Sequence, residues 1–345
     1  MNKIEYGVKL DFSNVLIRPK RSTINSRSKV NLEREFKFKY SKLNWNGVPI
    51  ISANMDTTGT FEIYHVLKKY KIITATHKFY TLNDYKLEMN DHGLDPDYFM
   101  ISTGIGDKAL KRLDEICYEI PCNWICIDVA NGYIKELVNF CKQVRDRFPD
   151  KRIIAGNVVT REMVEELILE GFVDIVKIGI GPGAACTTRI KTGVGMPQLS
   201  AIIECADAAH GVNGHIIGDG GITCPGDMSK AFGGGADFVM VGSAFAGHEE
   251  NPGDIIEKDN IKYKKFYGMS SKQAMETHYG KMEKYRSSEG RELLIKLKGK
   301  LDNTVMDYLG GLRSTCTYIN AESIKQMAKC TTFIQVSQQV NTSLI

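Results

Sequence analysis

Short apolar runs recur along the chain, and small or polar residues follow each of them. The runs are almost continuously apolar, which is typical of strands in a parallel sheet that is covered on both faces. Most of them begin about 20–30 residues after the previous one, the pitch of a repeated strand–helix unit. The predicted strands are Val48–Ala53, Ile72–Thr76, Phe99–Thr103, Trp124–Asp128, Arg152–Asn157, Ile175–Ile178, His215–Asp219 and Phe238–Val241.

The gaps between these runs contain amphipathic segments that predict helices. The predicted helices are Phe61–Tyr70, Leu82–Met89, Ala109–Tyr118, Ile134–Phe148, Arg161–Leu169, Leu199–His210 and Asp227–Phe232. Eight strand–helix units favour an α/β fold of the (β/α)₈ TIM-barrel type. An open doubly wound sheet is the alternative, and periodicity alone does not distinguish the two. We expect one catalytic domain over residues 1–345, with an N-terminal extension over 1–47 and a C-terminal loop and helix segment over 246–345.

Two intervals are longer than one helix requires. Gly179 to Gly214 follows the sixth predicted strand, and Ala246 to Ser314 precedes a helical segment predicted near Ala321–Ala328. In a barrel, extra length after a strand lies at the carboxyl face, where active sites are built. Long loops inside a compact domain are usually functional. We therefore expect the chemistry in the long loops after strands six and eight.

The composition is that of an ordinary globular protein, with 43% hydrophobic and 25% charged residues. The net charge of +4 and the lack of a strong basic run argue against a nucleic-acid partner. The polar N-terminus and the absence of a long apolar run predict neither a signal peptide nor a membrane partner. The nine scattered cysteines fit reduced thiols and a cytoplasmic location better than disulfides or zinc.

The first long interval contains the sequence G-I-G-P-G-A-A-C-T-T-R over residues 179–189. Its glycines allow backbone carbonyls or amides to point inward and to hold a cation or an anion. Cys186 lies there beside hydroxyl groups and the cation Arg189, surroundings that favour a thiolate nucleophile. A cysteine is more often a small buried apolar residue, but the glycine-rich loop favours the catalytic interpretation.

This loop resembles the active-site loop of the inosine-monophosphate dehydrogenase and GMP reductase superfamily. The resemblance implies that Cys186 attacks C2 of a purine and that Thr188 relays a proton. It also implies a monovalent cation, K⁺, bound near Gly181, Gly183, Cys186 and Arg189. The superfamily usually has Ser where this chain has Ala184, so Ala184 is left out of the predicted site.

The ends of strands seven and eight predict a phosphate site. Asp219-Gly220-Gly221 and Gly242-Ser243 occupy the positions where barrels seat a phosphate on glycine amides. Asp219 can accept hydrogen bonds from both ribose hydroxyls. The full set of substrate residues implied by the resemblance adds Gly268, Met269, Ser270, Arg286 and Gly290. No G-x-G-x-x-G sequence follows the first strand, so a Rossmann domain is not predicted.

Three features favour the reductase branch of the superfamily over a dehydrogenase. Only 22 residues separate Thr76 from Phe99, where dehydrogenases usually carry an inserted regulatory domain. Residues 285–290 read Y-R-S-S-E-G and resemble a reductase motif in which Glu289 pairs with Thr188 to move the proton that releases ammonia. Residues 307–318 read D-Y-L-G-G-L-R-S-T-C-T-Y and resemble the reductase C-terminal signature.

The resemblance implies NADPH-dependent reductive deamination of GMP to IMP and ammonia, a step of purine interconversion, by a homotetramer. The implied cofactor contacts are Ser26, Arg27, Lys78, Val129, Ala130, Asn131, Ile180, Gly181, Tyr285, Ser314, Thr315, Cys316 and Thr317. Lys78 and Arg27 suit the 2′-phosphate of NADPH, and some contacts are expected to reach a neighbouring subunit. The nearest alternative is an inosine-monophosphate dehydrogenase without its insert. An FMN-dependent barrel and a catalytically inactive binding module are the others.

Overall fold

Eight parallel strands pair side by side and close into a barrel, as the computed structural model shows for residues 4–271, 274 and 288–337. The strands are β1 (Ile50–Ser52), β2 (Ile73–Thr76), β3 (Phe99–Thr103), β4 (Trp124–Asp128), β5 (Arg152–Val158), β6 (Ile175–Ile178), β7 (His215–Asp219) and β8 (Phe238–Val241). Closure is made by β8 and β1, where Val239 pairs with Ile50. The (β/α)₈ prediction is confirmed, and the open doubly wound sheet is excluded.

Each strand is followed along the chain by a helix on the outside of the barrel. The helices are α1 (Phe61–Lys68), α2 (Leu82–Asp91), α3 (Asp107–Glu119), α4 (Lys135–Arg147), α5 (Arg161–Leu169), α6 (Gln198–Gly211), α7 (Pro225–Gly233) and α8 (Leu301–Ile319). Local sequence sets several helix starts. Before α2, the Thr81 hydroxyl accepts from the Asp84 amide while the Asp84 carboxylate accepts from the Thr81 amide, a capping box.

Side chains alternate along each strand between two apolar cores. In β4, Ile125 and Ile127 face the helices, whereas Trp124 and Cys126 fill the barrel interior. The same period of two places Asp128, at the carboxyl end of β4, on the interior side. The strand pattern therefore brings polar groups at the strand ends into one space above the apolar interior.

A small antiparallel sheet covers the amino-terminal end of the barrel. It pairs Arg34–Phe36 with Trp45–Gly47, and the Phe36 ring stacks on Phe238 with centroids 4.3 Å apart. Beside it, the buried carboxylate of Asp237 accepts from Arg34 at 2.8 Å and pairs with His210 at 2.8 Å. His210, His215 and Asp237 have the spacing of a metal site, but Arg34 and two histidines already surround the carboxylate. We interpret this group as a structural network.

The C-terminal excursion differs from the prediction. Residues 256–296 contribute a three-stranded antiparallel sheet of Ile256–Lys258, Ile261–Tyr267 and Glu292–Lys296. The long helix α8 then packs between α7 and α1, which completes the outer ring. The prediction of a loop as far as Ser314 was wrong, because the sequence of α8 contains Gly310-Gly311, which lowers helix propensity. The predicted segment Ala321–Ala328 forms a 3₁₀ turn and a short helix at Met327–Cys330.

Between β2 and β3 the chain forms one helix, α2, and no inserted domain. Among the helices of the described residues, none has the length and apolarity needed to cross a membrane.

Candidate active site

A cavity of about 900 Å³ opens at the carboxyl ends of the barrel strands. It is lined by most of the predicted site residues. The predicted residues that line it are Lys78, Val129, Ala130, Ile180, Gly181, Gly183, Cys186, Thr188, Asp219, Gly220, Gly221, Gly242, Ser243, Gly268, Met269, Ser270, Glu289 and Gly290. Residues far apart in sequence therefore meet in one space, as barrel topology requires.

One wall of the cavity consists of the cysteine loop and a segment from the C-terminal excursion. Cys186 pairs with Gly290 in an antiparallel bridge, and the Arg291 amide donates to the Ala185 carbonyl at 3.0 Å. The Thr187 amide donates to the Glu289 carbonyl at 2.7 Å. Gly181 has a φ of +86°, a left-handed conformation that glycine adopts without strain. Backbone pairing thus fixes the two segments against each other.

The side chains on this wall form a relay. The Cys186 thiol donates to the Thr188 hydroxyl at 3.2 Å, and the Thr188 hydroxyl donates to a Glu289 carboxylate oxygen at 2.7 Å. All three residues are partly buried and line the cavity. A thiol, a hydroxyl and a carboxylate in this order can generate a nucleophile and move a proton to a leaving group.

Glycine turns next to the cysteine loop form another part of the cavity lining. Gly220 and Gly221 have φ values of +90° and +80°, so both adopt the left-handed region that other residues avoid. A Cβ on Gly268 would lie 3.0 Å from the Ala185 carbonyl oxygen and from the Gly290 Cα, so a side chain there would push against the backbone of the cysteine wall. Gly242 precedes the 3₁₀ turn Ser243–Phe245. Backbone amides in such turns suit a phosphate.

The floor of the cavity contains three residues that were not predicted as site residues. Lys177, in β6, lies 2.6 Å from an oxygen of Asp128 and 2.8 Å from an oxygen of Asp219. The Asn157 side-chain amide donates to Asp219 at 2.9 Å and to the Gly179 carbonyl at 2.7 Å. A signal was present: Lys177 is a lone charge in the apolar run Ile175–Ile178.

The ionisation states of Lys177 and Asp128 follow from their burial and from their attraction to each other. Burial by itself would lower the pKa of Lys177, but attraction by Asp128 and Asp219 outweighs burial and raises the pKa above its ordinary value. Burial likewise opposes ionisation of Asp128, yet the pKa of Asp128 is lowered because Lys177 attracts its carboxylate and donates a hydrogen bond to it. The lysine is thus charged at neutral pH and compensates the neighbouring carboxylate.

Several predicted cofactor residues do not line this cavity. Ser26 and Arg27 lie at the exposed 3₁₀ turn Arg27–Lys29, which packs against α8. Ser314, Thr315, Cys316 and Thr317 lie on α8 itself, where Cys316 is fully buried and the Thr315 hydroxyl bonds to Ser229. These two predicted groups are therefore near each other on the outside of the barrel.

The remaining predicted residues have separate positions. Asn131 is exposed beside the cavity, and its side-chain oxygen accepts from the Tyr133 amide. The Arg189 guanidinium donates to Asp11 at 2.9 Å. Tyr285 and Arg286 lie outside the described residues.

A closed barrel with a cysteine, a threonine and a glutamate in hydrogen-bonded contact and with glycine turns around one cavity defines the class: a TIM-barrel enzyme. The sequence profile described as "IMP dehydrogenase / GMP reductase domain" matches residues 9–342. The chain belongs to this family.

Curated relatives match over nearly their whole length. The chain is 55% identical to GMP reductase 2 of Homo sapiens over 345 residues, covering 99% of this chain and 98% of the relative. It is 54% identical to GMP reductase 1 of Mus musculus over 343 residues, covering 99% of each. It is 55% identical to GMP reductase of Klebsiella pneumoniae subsp. pneumoniae over 341 residues, covering 98% of each.

Proposed function

We propose that this protein catalyses the NADPH-dependent reductive deamination of GMP to IMP and ammonia, as part of purine nucleotide interconversion. The observation that carries this proposal is the hydrogen-bonded relay of Cys186, Thr188 and Glu289 on the wall of the cavity. The relatives named as GMP reductases support the choice of reaction within the family.

The cavity suits GMP in one orientation. The phosphate binds on the Gly220–Gly221 and Gly242–Ser243 turns, and the ribose hydroxyls donate to Asp219. The purine then extends toward Cys186, where Gly268, Met269 and Ser270 complete the pocket. The tight packing of Gly268 against Ala185 and Gly290 holds this part of the pocket next to the wall that carries Cys186.

The chemistry proceeds by addition and elimination. The Cys186 thiolate bonds to C2 of the purine, and the bond from C2 to the amino group breaks. Thr188 and Glu289 hold and deliver the proton that the departing ammonia requires. A hydride then adds to C2, the bond from C2 to sulfur breaks, and Cys186 leaves as a thiolate while IMP is formed.

NADPH supplies that hydride when bound. Val129, Ala130, Ile180 and Gly181 line the part of the cavity that would hold the nicotinamide half. Lys78 also lines the cavity, and its positive charge suits the 2′-phosphate on the adenosine half. Ser26, Arg27 and Ser314–Thr317 cluster outside this cavity in one chain. We propose that the accessible residues of this cluster, which exclude the fully buried Cys316, hold the adenine half of a cofactor bound to a neighbouring subunit of a homotetramer.

The cysteine loop also suits a monovalent cation. Its backbone carbonyls are hard oxygen donors, and Gly181 adopts a left-handed conformation that turns the chain sharply there. The Gly183 carbonyl accepts from the Cys186 amide at 2.9 Å and keeps a second lone pair. We propose that carbonyls of Gly181, Gly183, Cys186 and Arg189 bind K⁺ and stiffen the loop that carries the nucleophile.

Absorbance at the nicotinamide band tests the reaction directly. Purified protein mixed with GMP and NADPH should consume NADPH and release ammonia, whereas IMP with NAD should give little signal. The reverse preference would support the inosine-monophosphate dehydrogenase alternative instead.

Two cysteine variants test the covalent step. C186A should abolish turnover and keep GMP binding, because only the nucleophile is lost. The matched control is C224A, since Cys224 is exposed on the outer ring and lies outside the cavity lining. Normal ammonia release by C186A would refute the covalent mechanism.

A further inference from the structure

Lys177 occupies an unusual place for a lysine. It lies in the middle of the barrel wall on β6, and 3% of its side chain is exposed. The alternation along β6 points Ile175 and Lys177 into the barrel and Val176 and Ile178 toward the helices. A buried ammonium is costly unless it is paired, and here each of two carboxylates lies within hydrogen-bonding distance.

The two carboxylates lie at the ends of different strands and serve different parts of the cavity. Asp219 ends β7 and precedes the glycine turn to which we assign the substrate. Asp128 ends β4 and directly precedes Val129 and Ala130, which we assign to the cofactor. Lys177 is therefore a direct ionic connection between the two proposed subsites. This inference rests on the proposed function for that assignment.

We propose that Lys177 is a positioning residue that holds the carboxylates of Asp219 and Asp128 in place, so that substrate ribose and cofactor bind to preset acceptors. Asn157 fixes the same Asp219 oxygen from a second direction and ties it to Gly179, at the start of the cysteine loop. The carboxylate that receives the ribose is thus positioned relative to the nucleophile.

Charge explains why a lysine is required at this position. Asp128 and Asp219 lie 2.6 Å and 2.8 Å from the same ammonium, so without it two carboxylates would face each other across a gap of one ammonium group, where like charges oppose ionisation. The charged or titratable groups that face this cluster are Cys126 beneath it and Lys78 near Asp128. Burial raises the pKa of Cys126 to about 12, so its thiol remains neutral.

Four variants test the proposal: K177M, K177M/D128N, D128N and the control K264M. Lys264 is also buried, but its ammonium donates to the backbone carbonyl of Glu249, away from the cavity. The KM for GMP is measured for each variant and for the wild type from pH 6 to pH 9. The ratio of the variant value to the wild-type value at each pH cancels the effect of ionisation of GMP itself. For K177M we expect a ratio on the order of tenfold at pH 6 that increases with pH, because a shared proton is lost.

The other variants separate this effect from general damage. In K177M/D128N only one carboxylate remains, so the ratio should be independent of pH. K264M should give a ratio near one throughout. D128N retains the Lys177–Asp219 pair, so it should raise the KM for NADPH on the order of tenfold and change the KM for GMP by less than about twofold.

A measurement without substrate distinguishes failure of the role of Lys177 from failure of the proposed function. The thermal unfolding midpoint of K177M, measured relative to that of the wild type, should fall as the pH rises from 5 to 8. The double variant K177M/D128N should not show this fall. If this pattern holds but the wild type does not reduce GMP, the proposed function fails alone. The role of Lys177 would be overturned if neither the KM ratio for GMP nor the difference in thermal midpoint between K177M and wild type changed with pH. It would also be overturned if D128N raised the KM for GMP and the KM for NADPH equally.

Discussion

Thr188 donates a hydrogen bond of 2.7 Å to Glu289, although 101 residues separate the two along the chain. The pair is held by backbone as well as by side chains, because the Thr187 amide donates to the Glu289 carbonyl. The proposed proton relay therefore depends on how residues 288–291 dock on the cysteine loop. Movement of either segment would separate the carboxylate from the hydroxyl.

E289Q tests the relay. Glutamine keeps an acceptor for the Thr188 hydroxyl but cannot take up the proton, so kcat should fall on the order of 10²–10⁴-fold with little change in the KM for GMP. Steady-state kinetics with NADPH would measure both constants. E292Q is the control, since Glu292 is exposed three residues further on. A tenfold change in KM with unchanged kcat would assign Glu289 to binding instead.

K78M tests the proposed contact with the 2′-phosphate. Lys78 lines the cavity, and loss of its charge should raise the KM for NADPH on the order of tenfold while changing that for NADH far less. The comparison of the two cofactors in one variant supplies an internal reference. K108M, which removes another cation lining the cavity, should leave the NADPH-to-NADH ratio near that of the wild type. Equal losses for both cofactors in K78M would contradict the assignment.

Adjacent glycines in α8 give opposite predictions for stability. A Cβ on Gly310 meets nothing within 4 Å, so G310A should stabilise the protein by up to about 1 kcal/mol through helix propensity. A Cβ on Gly311 would lie 2.4 Å from the Cβ of Pro225, a rigid neighbour on α7. G311A should therefore destabilise by about 1–3 kcal/mol. Urea unfolding of both variants measures the difference, and equal midpoints would refute this packing.

The network at the amino-terminal end of the barrel predicts a pH dependence of stability. Burial alone would lower the pKa of His215, but the hydrogen bond and attraction from Asp237 outweigh it, so the pKa is raised above 6.5. His210 and Arg34 also face this carboxylate. A raised folded-state pKa means that the stabilisation is complete below pH 6.5 and is lost as pH rises through the folded value.

Urea midpoints at pH 6 and pH 9 test this dependence. The wild type should lose stability between the two values, and H215Q should lose less because it lacks the titrating group. If H215Q showed the full wild-type loss, the dependence would originate elsewhere.

Much of the candidate site was predictable because the residues of each motif are adjacent in sequence and each motif directly follows a predicted strand. Cys186 and Thr188 share one loop, and Asp219-Gly220-Gly221 directly ends a strand. Six of the eight strand starts agree with the structure, since continuously apolar runs fix buried strands well. Lys177 was missed because a single charge in an apolar run gives no partner, and its partners Asp128 and Asp219 lie on other strands.

Neighbouring residues and periodicities of 2 and 3.6 were enough to predict the eight strands, the first seven helices, the cysteine loop and the glycine turns. Which distant groups meet depends on the way the whole chain packs. Barrel closure directs Asp128 and Asp219 to the same ammonium, and docking of residues 288–291 places Glu289 on Thr188. Such contacts depend on the angles and registers of whole elements, which no local pattern specifies.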